Sequence, residues 1–81
     1  MNQWAEYDAE ADVLYVTLAD GDVEETVELD DLRLIDYGSD GRIVGVEFIS
    51  PSAGIDLHEV PFANAIERII GQSGYQFRVV A

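Results

Sequence analysis

The chain has no cysteine and no lysine. Without cysteine, a disulfide scaffold and a thiolate metal site are excluded, and a reducing compartment fits easily. Without lysine, four arginines are the only permanent side-chain cations. They are scattered, so the basic and aromatic interleaving of a nucleic-acid surface is missing. A single histidine, His58, excludes three-histidine zinc chemistry. No apolar run approaches the ~20 residues of a membrane-spanning helix. The opening Met1-Asn2-Gln3-Trp4-Ala5-Glu6 lacks the basic region and apolar stretch of a signal peptide. The expected location is therefore the cytoplasm, away from any membrane.

What is present is acid. Seventeen Asp and Glu residues give a formal net charge of −13 over 81 residues. Residues 1–47 hold 14 of them against two arginines, and residues 48–81 hold three against two. Such a field repels nucleic acid and anionic lipid and attracts a basic partner or cations. A halophilic source would spread acids over the whole surface, whereas their crowding into residues 1–47 favours a local, partner-facing use. At 48% hydrophobic, the chain has enough apolar surface to order itself as a single domain, residues 1–81. Self-repulsion in so small a domain calls for compensation by counterions, an oligomeric interface or a partner. A homo-oligomer, a dimer or larger, is expected.

The pattern is one of short strands separated by turn signals. Strands are predicted at Gln3–Tyr7 and Val13–Leu18, the second apolar on both faces and so central in the sheet. The connection between them, Asp8 to Asp12, carries two aspartates suited to capping turn amides. In Val23–Asp30 the alternation predicts Val23, Val27 and Leu29 facing the core and Glu24, Thr26, Glu28 and Asp30 facing water. Leu32–Tyr37 and Ile43–Ile49 form a hairpin about Gly38-Ser39-Asp40-Gly41, with Val44, Val46 and Phe48 on one face. Pro51 and Gly54 interrupt the ladder. Pro61 suits a helix start, and Phe62, Ile66, Ile69 and Ile70 recur as a helical stripe ended by Gly71 or Gly74. A last strand, Tyr75–Val80, is expected to place Tyr75, Phe77 and Val79 on one face. The sum is an α+β domain: a mainly antiparallel sheet of five to six short strands with one helix packed on one face.

The stretch Tyr7-Asp8-Ala9-Glu10-Ala11-Asp12-Val13-Leu14-Tyr15-Val16 resembles the opening of a small prokaryotic family, domain of unknown function 2283. Further stretches match in order: Glu28 to Asp30, Leu34 to Tyr37, and Asp40 to Glu47. The resemblance covers about residues 6–61 and rests on order and spacing rather than on one motif. It implies no activity. Some members look like the antitoxin half of two-gene modules whose other half is a small ribonuclease-like toxin.

No constellation carries a reaction. The Tyr7-Asp8-x-Glu10-x-Asp12 cluster could bind a hard cation, but it lacks the spacing, glycine and closing Glu of an EF-hand, and a self-capped turn explains it better. His58 has no evident nucleophile to serve. No catalytic residue, cofactor or metal ligand is therefore expected. Arg33 is expected to face Glu47 across two strands, and Arg42 to meet a turn carboxylate, with weak structural effects. Tyr15 and Phe48 are expected in the core, while Trp4 suits either the core's open end or a partner. The leading expectation is a non-enzymatic module that binds a small basic protein through Trp4, Glu24, Glu28 and Asp30, as an antitoxin would neutralise a ribonuclease. Self-association and cation binding stand as alternatives.

Overall fold

The computed structural model describes residues 2–80. Three aspartates make its hairpin turns. Asp8 Oδ1 accepts the amides of Glu10 and Ala11, both at 3.1 Å, and turns the chain from β1 (Trp4–Asp8) into β2 (Val13–Thr17). Asp30 Oδ1 accepts Leu32 N–H at 2.9 Å between β3 (Glu25–Asp30) and β4 (Arg33–Tyr37). Asp40 Oδ1 accepts Arg42 N–H at 3.1 Å between β4 and β5 (Ile43–Ile49), where Gly41 supplies a φ of 83°.

The five strands form one antiparallel sheet in the order β1-β2-β5-β4-β3. After β2 the chain crosses to the far edge, and the β3-β4-β5 meander returns to lie beside β2. β2 is thus interior, as its two apolar faces predict. Residues in register share a face. One row runs Ala5, Val16, Val46, Ile35, Val27; the next core-facing row runs Tyr7, Leu14, Phe48, Arg33, Asp30. Above them lie α1 (Ala63–Ser73), which contacts β1 and β2, and the crossing segment with Ile55, Leu57 and Val60. Leu14, Val16, Val46, Phe48, Ile66, Ile69 and Ile70 are buried in one cluster. Burying each large side chain contributes about 1.5–3 kcal/mol.

The structure corrects several expectations. Val23 and Val27 are exposed, Val27 because it lies on the edge strand β3 and Val23 because it lies ahead of that strand; of the three only Leu29 packs against the core. Val44 is the extra residue where the β4–β5 register shifts, so it is buried outside the main cluster, and Ile43 packs against the core instead. The helix starts two residues past Pro61. Phe62 sits at its N-terminus with φ 59°, and its carbonyl accepts Ile66 N–H at 2.9 Å. That left-handed turn throws the Phe62 ring out to 63% exposure, off the stripe that Ile66, Ile69 and Ile70 do form. Gly74, at φ 89°, ends the helix.

The last strand is only Val79–Val80, labelled β7, paired in parallel with β6 (Ile55–Asp56). Ahead of it, residues 75–78 pass the edge of β1 and meet it with a side chain rather than with backbone: Tyr75 Oη accepts Tyr7 N–H at 3.2 Å. Arg33 does not face Glu47; its register partner is Phe48. Its guanidinium reaches Asp30 Oδ2 at 2.6 Å, Asp56 O at 3.1 Å and His58 O, so it fastens the crossing segment to the sheet. Arg42 does meet a turn carboxylate, Asp40, at 2.6 Å.

Candidate functional site

All the layers described so far lie on one side of the sheet. Among the described residues none lies over the other side, and alternation places a second set of residues there. One row runs Glu6, Tyr15, Glu47, Leu34, Glu28 across all five strands. The adjacent row runs Trp4, Thr17, Gly45, Asp36, Thr26. Neighbouring strands are about 4.8 Å apart, so Glu6, Glu47 and Glu28 stand about 10 Å from one to the next.

Tyr15 is the centre of this face, and it lies here rather than in the core. Its ring covers Gly45: a Cβ at that position would sit 2.5 Å from Tyr15 Cζ and closer still to the hydroxyl. Only glycine leaves the ring room to lie across the strands. Tyr15 Oη donates to Asp36 Oδ2 at 2.7 Å, and Thr26 Oγ1 donates to Asp36 Oδ1 at 2.5 Å. Burial, and then the Asp36 carboxylate, push the Tyr15 hydroxyl well above the usual phenol range. The hydroxyl is held as a donor to Asp36, and the ring forms the floor of this face.

The arginines lie elsewhere. Arg33 is on the helix side with Asp30, Arg42 is at the hairpin with Asp40, Arg78 donates to Ala53 O at 3.0 Å, and Arg68 is carried by α1. Among the described residues no ion pair reaches Glu6, Glu47 or Glu28. The face is thus acidic and without internal neutralisation, with half-buried Leu34 and Tyr15 between the carboxylates.

Of the residues singled out from sequence, Trp4 and Glu28 share this face at its opposite edges. Trp4 is 46% exposed. Glu24 precedes β3, where its N–H donates to Tyr37 O at 2.8 Å. Asp30, though exposed, is bound to Arg33. Sequence reasoning missed Glu6, Asp36 and Glu47. Their parity was readable, since each alternates with core-facing neighbours, but the strand order that aligns them was not.

Three other places have chemistry to consider. Asp12, at φ 55°, accepts Tyr7 Oη at 2.8 Å, Ser52 N–H at 3.3 Å and Ser52 Oγ at 2.5 Å, which joins the first turn to the short 3-10 helix Pro51–Ala53. It thus caps a distant turn and not its own. His58 Nε2 has Glu59 at 3.9 Å and the imidazole is exposed. Among the described residues no three His, Asp or Glu side chains converge to hold a metal ion. An apolar groove of about 490 Å³ lies between the start of α1 and the end of the sheet, lined by Leu18, Tyr37, Ile43, Phe62 and Ala65, with Arg42 at its rim.

Residues 4–52, which contain all five strands of the sheet, match the family described as protein of unknown function, DUF2283. The chain belongs to this family. The match ends before the crossing segment, α1 and β7, so the helix-side cover is built by residues beyond it. Comparison with curated proteins and with solved structures gives no match. No helix among the described residues is long and apolar enough to cross a membrane.

Proposed function

We propose that this DUF2283 member is a non-enzymatic binding module that captures a small basic protein on the open face of its sheet. The observation that carries this reading is the row Glu6, Tyr15, Glu47, Leu34, Glu28. Its three carboxylates are spaced about 10 Å apart, too far to share one cation, which takes its oxygens at 2.3–2.6 Å when it is Ca²⁺. That spread suits an extended basic surface. Tyr15 and Leu34 give such a partner apolar contact between its charges, and Trp4 adds an aromatic anchor at the edge. A ribonuclease-like toxin must be basic where it holds phosphate. An acidic face can occupy that site in place of nucleic acid, which agrees with the antitoxin-like members the family resemblance suggests.

The test is a pull-down from the source cell's lysate at low salt, eluted by rising salt, with the wild type and a Glu6→Gln/Glu28→Gln/Glu47→Gln variant. The expected result is one small basic protein released at raised salt from the wild type and absent from the variant, since charged pairing is screened by salt. Equal recovery by the folded variant overturns the reading.

A further inference from the structure

An outer strand presents a row of unpaired N–H and C=O groups, and a sheet has two such edges. In this sheet they are treated differently. β1 is guarded: Tyr75 Oη takes Tyr7 N–H, and the Tyr75 and Phe77 rings lie 5.8 and 4.9 Å from that of Tyr7. α1 also packs against β1. β3 pairs with β4 alone and ends the sheet. The hydrogen bonds of its side chains go inward, Thr26 to Asp36 and Asp30 to Arg33. Among the described residues nothing pairs with its outer edge. Five of its six residues are exposed, and Val27 is 39% exposed beside Glu25.

We propose that β3 is the docking edge, and that the partner adds an extended segment bearing Lys or Arg to it as a sixth strand. This rests on the reading of a basic partner above and states where its backbone engages. Charge selects the occupant. Glu24 and Glu25 flank the start of β3 and Glu28 stands near its end. A second copy adding its own β3 would bring these carboxylates against their equivalents, and like charges opposite one another are destabilising. A strand of opposite sign meets the reverse situation. Its ladder bonds supply affinity while its cations answer Glu28 on the open face and Glu25 on the helix side. The acids of β3 thus exclude the chain's own copies and admit a basic strand.

The probe is a capped synthetic octapeptide of alternating lysine and valine, compared with the same peptide N-methylated at every interior amide. Both carry the same charge; only the first can form a ladder. At low salt, the first is expected to slow amide exchange within Glu25–Asp30 about tenfold or more, and methylation to weaken binding at least about tenfold, since several hydrogen bonds are lost. Equal binding of both peptides with no slowing in β3 overturns the edge proposal and leaves the basic-partner reading standing. Binding of neither overturns both. Protection of β3 amides that rises with protein concentration before any peptide is added overturns it in favour of a second copy.

Discussion

β1 and β3 bound the same sheet, yet their surroundings share little. Behind β1 stand a helix, two aromatic rings and a hydroxyl that takes one of its amides. Among the described residues only β4 pairs with β3. Both strands lie within the residues that match the family, whereas Tyr75, Phe77 and α1 lie beyond them. The cover over β1 is therefore contributed by the later part of this chain, and the openness of β3 belongs to the matched stretch itself. An edge that is covered serves folding. An edge left open in a molecule of net charge −13 is the one on which the proposed basic partner would dock.

The largest expected effect breaks the comparison at its base. Ile66 is 0% exposed under α1, and Val27 is 39% exposed on β3. Ile66→Ala should cost about 2–5 kcal/mol, the usual range for emptying a buried aliphatic site. Val27→Ala removes a half-wet side chain and should cost less than about 1 kcal/mol. Urea unfolding of the two variants gives both numbers. A Val27→Ala cost equal to that of Ile66→Ala would mean that β3 is packed as firmly as β1, and the contrast would fall.

A smaller change sharpens it. Tyr75→Phe keeps the ring against Tyr7 and Phe77 and removes only the hydroxyl that accepts Tyr7 N–H. The expected loss is about 0.5–1 kcal/mol, the net contribution of one partly exposed hydrogen bond. Exchange of the Tyr7 amide should quicken while the amides of β3 keep their rates. Unchanged exchange at Tyr7 would show that the rings and the helix, not the hydroxyl, protect that edge.

The fold was legible where local pattern decides structure. Strong alternation and the turn signals at Asp8 to Asp12 and Gly38 to Gly41 place all five strands of the sheet to within a residue or two, and the isoleucine stripe places α1. Three features escaped because they depend on what lies beside an element. Val27 reads as core by alternation, but its exposure follows from β3 being at an edge. Tyr75–Val80 reads as a strand by its residue types, but the pairing with β6 covers only its end, Val79 and Val80, with Arg78 O accepting Ile55 N–H. Phe62 fits the helical period, yet a left-handed turn at its own position takes it off the helix. The open face was half legible for the same reason. Glu28 and Trp4 were visible as exposed residues, while Glu6, Tyr15, Asp36 and Glu47 join them only through a strand order in which β5 inserts between β2 and β4.

The smallest expected effect concerns acid. Asp12 sits where β1's side of the molecule is tied together, and the Ser52 hydroxyl, the Tyr7 hydroxyl and the Ser52 amide all donate to its carboxylate. These donors, Ser52 first, hold its pKa below the ordinary aspartate value. A carboxylate whose pKa is lower in the folded than in the unfolded chain stabilises fully above the unfolded value of about 3.9, and this is lost as pH falls through the folded value. Asp12→Asn keeps one acceptor oxygen and a residue at ease with φ 55°, and it replaces the charge and the second acceptor oxygen by an amide NH2. The wild type should melt higher than Asp12→Asn near pH 6, with the gap closing below about pH 4 as the carboxylate protonates. Melting both proteins between pH 2 and 7 gives the curve. Because Tyr7 is held both by Asp12 and under Tyr75, the Tyr7 amide should exchange faster in Asp12→Asn at neutral pH, with the β3 amides unaffected. A gap that stays constant with pH would assign Asp12 a purely geometric part in closing the β1 side.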